Sequence, residues 1–134
     1  MANEAAIRDK LELPINFTAQ NEGAIEKGTV LQLLDGRVAS GTATSGMMVA
    51  GICAREKVAD DGRPIAVYTR GIFDMYLSGA GAVGSSVQSA GLNEVSVLTG
   101  VSANAKSGSQ IMGYLLETGT TQETVQVMVN IGGG

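Results

Sequence analysis

The sequence predicts a mainly β fold, arranged as a single small domain of the β-barrel or β-tulip kind. Apolar residues alternate with polar ones over residues 65–78 and 125–131, as they do when successive strand side chains point to opposite faces. Turn signals recur every ~8–12 residues, and no segment of the body has a helical apolar stripe. A chain of 134 residues fits one domain, and its 19 glycines and two prolines indicate many turns.

Residues 46–78 are predicted to form a hairpin around which the other strands are added. Asp61-Gly62 is a hairpin turn signal, because type I′ turns need positive φ at both central positions. Gly71 falls in the core-facing series, where a missing side chain suggests a bulge or bend. The side chains predicted to face the core are Ile65, Val67, Thr69, Phe73, Met75 and Leu77.

The first half of this hairpin, Met47 to Ala54, is apolar at both odd and even positions. Such a strand is covered on both faces, either by its own fold or by a neighbouring subunit. If a subunit covers it, Met47, Met48 and Val49 are the predicted contact with a second copy. The pattern leaves both interpretations open.

Residues 1–14 differ from the body and are predicted to form an extended N-terminal arm. They are rich in charge, and Ile7 and Leu11 are spaced as on one face of a helix. The segment could be a short helix, an arm that orders only against a partner, or a frayed terminus. Pro14 ends it.

The β-rich body is predicted to span residues 15–131, and residues 132–134 form a loose glycine tail. About nine or ten short strands are expected. Besides the central hairpin, the predicted strand segments are Ile15–Ala19, Thr29–Leu34, the return after the Asp35-Gly36 turn, a short strand at Val87, Leu92–Leu98, Ile111–Glu117 and Val125–Ile131.

Residues 79–84, GAGAVG, match the glycine pattern of dinucleotide-binding loops. That motif requires a helix directly after the loop and an acidic residue about 20 positions on. The residues from Ser85 to Gly91 have no helical periodicity. The stretch is therefore interpreted as a glycine-rich connection between strands, without cofactor binding.

Composition and charge bear on the expected partners, the cellular location and the side chains available for catalysis. The net charge is −4 and the Lys and Arg residues are scattered, so no nucleic-acid partner is expected. No stretch has the length of a membrane span, and the charged N-terminus lacks a signal peptide, so synthesis in a cytoplasm is expected. The chain has no histidine, and its single cysteine, Cys53, is expected to be a small buried side chain.

Two other classes of function have less support in the sequence. An enzyme would draw on Glu56, Asp60, Asp61 or Asp74, but Arg70 and Asp74 are ~13 Å apart on one strand and cannot pair directly. A solvated turn is the simpler interpretation of the acidic group. A ligand-binding or carrier barrel would need a modifiable lysine at a hairpin tip, and the candidates by position are Lys27, Lys57 and Lys106.

The order of motifs resembles the capsid decoration (cement) proteins of tailed viruses, of the lambda-like head-decoration type. The resemblance extends over about residues 15–131. The pieces that carry it are Phe17–Ala19, Gly28–Leu33, Gly51-Ile52, Gly62–Gly71, Ile111–Glu117 and Glu123–Val129.

The resemblance implies a non-enzymatic virion protein without a cofactor. Its partners would be the major capsid protein and itself, as a homotrimer on the outer surface of the expanded head, which it would cement. In that family an N-terminal extension commonly adds a strand to the capsid. The residues so placed here are Ile7, Leu11, Leu13 and Ile15.

Overall fold

The computed structural model describes residues 4–20, 24–41, 46–58, 63–91, 93–98 and 110–131. These residues form eleven β-strands and no α-helix, so the mainly β prediction is confirmed. The strands are β1 (Ala6–Lys10), β2 (Ile15–Ala19), β3 (Val30–Leu34), β4 (Val38–Ser40), β5 (Val49–Cys53), β6 (Ile65–Tyr68), β7 (Arg70–Leu77), β8 (Ser86–Gly91), β9 (Glu94–Val97), β10 (Gly113–Leu115) and β11 (Thr124–Asn130).

The strands make two barrels, where the sequence predicted one. Strands β2, β4, β3, β5 and β6 close on themselves in that order and form the N-terminal barrel. Strands β7, β11, β10, β8 and β9 follow one another in a second sheet, which β7 closes by also pairing with β9. This is the C-terminal barrel, and β1 is added to it as an extra strand beside β7.

The two barrels have the same topology, so β2 to β6 correspond in order to β7 to β11. In the N-terminal barrel β2 is parallel to β4 and antiparallel to β6, and β3 is antiparallel to both β4 and β5, while β5 is antiparallel to β6. In the C-terminal barrel β7 is parallel to β9 and antiparallel to β11, β8 is antiparallel to β9 and β10, and β10 is antiparallel to β11. The chain therefore contains an internal structural repeat, in which each barrel is one copy.

Details of the backbone repeat as well. The isolated bridge between Ile25 and Lys57 has its counterpart between Gly81 and Gly119. In the loops before β4 and β9, Arg37 and Asn93 both have left-handed backbone, with φ of 62° and 64°.

One hydrogen bond also recurs at the start of β3 and of β8. Gly28 N–H donates to Cys53 C=O, and Gly84 N–H donates to Leu115 C=O, both at 2.8 Å. The two glycines have φ of 89° and 86°. Such agreement extends the repeat from strand order to individual residues.

The two barrels are packed together through a shared core. Phe17, Leu31, Ile65 and Val67 belong to a cluster that fills the N-terminal barrel. A second cluster combines residues of β7 to β11 with outward-facing residues of the N-terminal barrel. Those outward-facing residues are Val30, Val49, Ile52 and Tyr68.

The strand predicted over residues 65–78 is divided between the barrels. Its alternation is confirmed, since the predicted core residues of β6 and β7 are buried, but pairing breaks at Thr69, which is only half-buried. Tyr68, on the opposite parity, is also buried because it packs edge-on against Phe73, with ring centroids 5.7 Å apart. The change of barrel lets the outer face of β6 become core.

Two local predictions about this hairpin have different outcomes. The prediction of a bulge at Gly71 is wrong, since Gly71 pairs regularly with Val129 of β11. The irregularity lies instead in the neighbouring strand β1, between Ile7 and Asp9. Strands β5 and β6 pair antiparallel as predicted. The Asp61-Gly62 turn between them lies outside the described residues, as does the tail at 132–134.

The N-terminal segment is a strand where the structure describes it. Ala6–Lys10 pairs antiparallel with β7, so the helical alternative is wrong for these residues. A helix this short is marginal in water, whereas the edge of β7 offers backbone partners and the half-buried Ile7 packs against the core. Residues 6–10 are thus ordered against their own chain.

The glycine-rich stretch behaves as the sequence indicated. After Gly84 the chain enters β8 directly, with no helix, and Gly81 is bridged to Gly119. The dinucleotide interpretation remains excluded for lack of the helix that it requires.

Candidate functional site

Two of the candidate enzymatic residues, Glu56 and Asp74, lie in the part of the chain that the structure describes. Asp74 accepts a hydrogen bond from Arg8 of β1 at 3.2 Å, and Glu56 is exposed. Asp60 and Asp61 lie outside the described residues. Across the part of the chain that the structure describes, no three Asp, Glu or Cys side chains are grouped as metal ligands.

Cys53 is a buried core residue, as predicted. It is 1% exposed, and its Sγ donates to the Arg55 C=O at 3.0 Å. Burial, which disfavours the charged thiolate, raises the pKa of the Cys53 thiol. A thiol held neutral in this way is a poor nucleophile.

The lysines proposed for a carrier function differ in their exposure to solvent. Lys57 is buried, and its Nζ donates to the Val58 C=O at 3.3 Å, which does not suit a group exposed for modification. Lys27 is exposed in the turn before β3, and Lys106 lies outside the described residues. The structure therefore leaves Lys27 as the accessible candidate among the described ones.

The predicted oligomer contact is mostly covered by the chain itself. Met47 and Val49 are buried in the shared core, and all five residues of β5 are buried within the monomer. Met48 is 53% exposed and borders an open cleft of about 410 Å³ beside Leu33 and Leu34. Of the three residues, only Met48 is available to a second copy, and that contact stays a prediction.

The predicted capsid-contact residues divide between core and surface. Ile7 packs against the core cluster, so it serves the fold of this chain. Leu11, Leu13 and Ile15 are 42%, 81% and 42% exposed and lie within five residues of one another, before and at the start of β2. We call residues 11–15 the apolar segment. Its contact with a capsid stays a prediction.

Sequence reasoning missed Asn93, which joins the two barrels. Its side-chain Oδ1 accepts a hydrogen bond from Val30 N–H at 2.9 Å, and Asn93 is buried. Asparagine tolerates left-handed backbone better than most residues, which was the available signal. The partner in β3 could not be predicted without knowing that the barrels pack together.

Comparisons with known proteins identify the fold and no family. No protein-family model matches the chain, and no curated protein matches it. Its structure is similar to a solved one described as the crystal structure of the head fiber gp8.5 N base in bacteriophage phi29. The TM-score is 0.57 at 12% identity, covering 90% of this chain and 98% of the other. None of the described residues lies in a helix long and apolar enough to cross a membrane.

Proposed function

We propose that this chain is a structural protein of a bacteriophage virion, carried on the outside of the head. The observation that carries the proposal is the fold likeness, which takes in nearly the whole length of a phage head-fiber base. The partner in this proposal is the major capsid protein.

The finer proposal is that the chain cements the expanded shell in groups of three. This part rests on the resemblance of its motifs to lambda-like decoration proteins, whereas the structural neighbour is a head fiber base. The apolar segment is the surface we assign to the shell, because it is the most concentrated set of exposed apolar side chains among the described residues. Met48 is the residue we assign to contact between copies.

Co-sedimentation with viral heads tests the proposal. The purified protein is mixed with expanded, undecorated heads of the virus that encodes it, with unexpanded shells as the control. We expect saturable binding to expanded heads, with copies bound in multiples of three per local site. Equal or absent binding to both forms would contradict the cement role, and absent binding would contradict the virion role as well.

A further inference from the structure

The internal repeat allows residues at the end of the N-terminal barrel to be compared with their counterparts in the C-terminal barrel. Ala54 N–H donates to Ala66 C=O at 2.8 Å, and Leu116 N–H donates to Gln126 C=O at 2.9 Å. These two bonds link β5 to β6 and β10 to β11 at the same point. Ala54 therefore corresponds to Leu116, and Ala66 corresponds to Gln126.

The C-terminal barrel uses a carboxylate of its own at this point. Glu117 directly follows Leu116, and its Oε1 accepts a hydrogen bond from Gln126 N–H at 2.8 Å. Hydrogen bonds from a backbone N–H to an ionised carboxylate are stronger than those between neutral groups. The Glu117 carboxylate thus completes the pairing of Gln126 where the ladder of backbone bonds ends.

The N-terminal barrel has an arginine in place of that carboxylate. Arg55 directly follows Ala54 and corresponds to Glu117, and a guanidinium donates hydrogen bonds but accepts none. The N–H of Ala66 points toward this segment, because the N–H and C=O of a residue in an antiparallel strand face the same neighbour. Position 55 therefore offers the Ala66 N–H no carboxylate oxygen.

A cavity of about 330 Å³ lies at this place in the N-terminal barrel. Its lining includes Ala66 and three cationic residues, which are Arg55, Lys57 and Arg63. Lys57 is only 6% exposed, and lysine is rarely buried to this extent. We call this space the cationic cavity. It joins a backbone N–H that matches a carboxylate-bound one to a concentration of positive charge.

Glu56 also lines the cationic cavity, and it carries the only carboxylate among the described lining residues. By the same register Glu56 corresponds to Thr118, whose Oγ1 accepts a hydrogen bond from Val83 N–H at 3.0 Å. The side chain at this position of the C-terminal barrel is therefore directed to Val83 and not to Gln126. Three cationic residues face one carboxylate, so the cavity keeps its positive charge.

The fold itself does not require this positive charge. The C-terminal barrel has the same strand order and carries Glu117 and Glu123 where the N-terminal barrel carries Arg55 and Arg63. Two cations that line one cavity repel each other. A carboxylate bound between them would reduce that repulsion and give Ala66 N–H its acceptor.

We propose that the cationic cavity binds a carboxylate group from outside this chain, in the place that the Glu117 carboxylate has in the C-terminal barrel. One carboxylate oxygen accepts a hydrogen bond from Ala66 N–H, and the Arg55 guanidinium balances the charge. The ligand is a small carboxylic acid or the acidic side chain of another protein molecule. The inference goes beyond the proposed function and does not depend on it.

Titration of the isotope-labelled protein with succinate, followed by nuclear magnetic resonance, tests the site. We expect the Ala66 amide signal to shift saturably, with half-saturation on the order of millimolar, the affinity that a few charge-assisted contacts to a small anion provide. Sodium chloride at the same ionic strength is the control for charge screening, and it should not reproduce the saturable shift.

Arg55→Glu restores the residue of the C-terminal barrel and supplies the carboxylate from within the chain. We expect this variant to bind succinate about tenfold or more weakly, the effect of losing a hydrogen bond to a charged group. Arg70→Glu is the matched control, because it makes the same change of charge at an exposed residue of β7 outside the cavity lining. It should bind within about twofold of the wild type. Well-dispersed amide spectra check that both variants fold.

The outcomes separate the possible sources of the carboxylate. No saturable shift at Ala66, or equal binding by the wild type and Arg55→Glu, would overturn the inference. Asp60 and Asp61 lie outside the described residues, and binding gained only when both are changed to asparagine would mean that the chain fills the cavity itself, which also overturns it. A shift at Ala66 on concentrating the protein without succinate, with a rise in mass, would support the site and assign the carboxylate to a second copy.

Discussion

Gly51 and Gly113 occupy the same place in the two barrels and cannot carry a side chain. Both have positive φ, 150° and 154°, in β5 and β10. A Cβ on Gly51 would overlap the C=O of Tyr68, and a Cβ on Gly113 would overlap the C=O of Met128. The repeat therefore preserves a glycine where one strand approaches the backbone of the next.

We expect Gly51→Ala and Gly113→Ala each to lower the free energy of unfolding by about 3 kcal/mol, from backbone strain and overlap together. Gly79→Ala is the control, because Gly79 does not have a positive φ and no atom lies within 4 Å of an added Cβ. Denaturant unfolding measures all three. Equal effects at Gly79 and Gly113 would contradict the packing described.

Cys53 makes stability depend on pH above neutrality. Because burial raises the pKa of its thiol, the folded chain resists ionisation that the unfolded chain allows. Its contribution is complete below the unfolded thiol pKa of about 8.5 and is lost as pH rises toward the folded value. We expect the wild type to lose more stability than Cys53→Ala between pH 7 and 10, measured by denaturant unfolding. An identical loss in both would refute this.

At the scale of elements, β1 contributes to stability mainly through Ile7. We expect Ile7→Ala to cost about 1–2 kcal/mol, since a half-buried side chain leaves the edge of the core. Arg8→Ala should cost about 0.5 kcal/mol or less, because the pair with Asp74 is solvent-exposed. Thermal unfolding distinguishes the two. A larger loss for Arg8→Ala would mean that the ion pair, not the apolar contact, fixes β1.

The sequence predicted the alternation of buried and exposed residues along the strands, but it did not predict which barrel each strand belongs to. The period of two correctly predicted the buried residues of β7 and β11 and two of the three in β6, since burial follows the pleat, but it missed Tyr68. It could not reveal that the chain changes barrels at Thr69, because the same alternation continues through the break. The continuous apolar run of β5 was equally compatible with a core and an interface, and the packed second barrel is what decides for the core.

The repeat was invisible in the sequence for a similar reason. Matching positions share backbone pairing without sharing residue type: Ala19 of β2 corresponds to Leu77 of β7, and Cys53 of β5 to Leu115 of β10. The candidate site was predicted in part, since the apolar residues before β2 were named. The hydrogen bond from Val30 N–H to Asn93 Oδ1 could not be predicted, because it depends on how the two barrels pack together.

For the whole molecule, the shared core couples the two barrels. Tyr68 belongs to the N-terminal barrel and packs against Phe73 of the C-terminal one. We expect one calorimetric unfolding transition, and Tyr68→Ala should lower its free energy by about 3 kcal/mol, the cost of emptying a buried aromatic site. Tyr114→Ala, at an exposed aromatic, is the control. Two separate transitions would show barrels that unfold independently.

Electron cryomicroscopy of expanded heads with and without this protein tests the proposed role most directly. The expected result is difference density on the outer surface of the shell, in groups of three, each fitted by the two barrels with the apolar segment against the shell protein. Density inside the shell, or no difference between the two samples, would contradict a head-surface role for the chain.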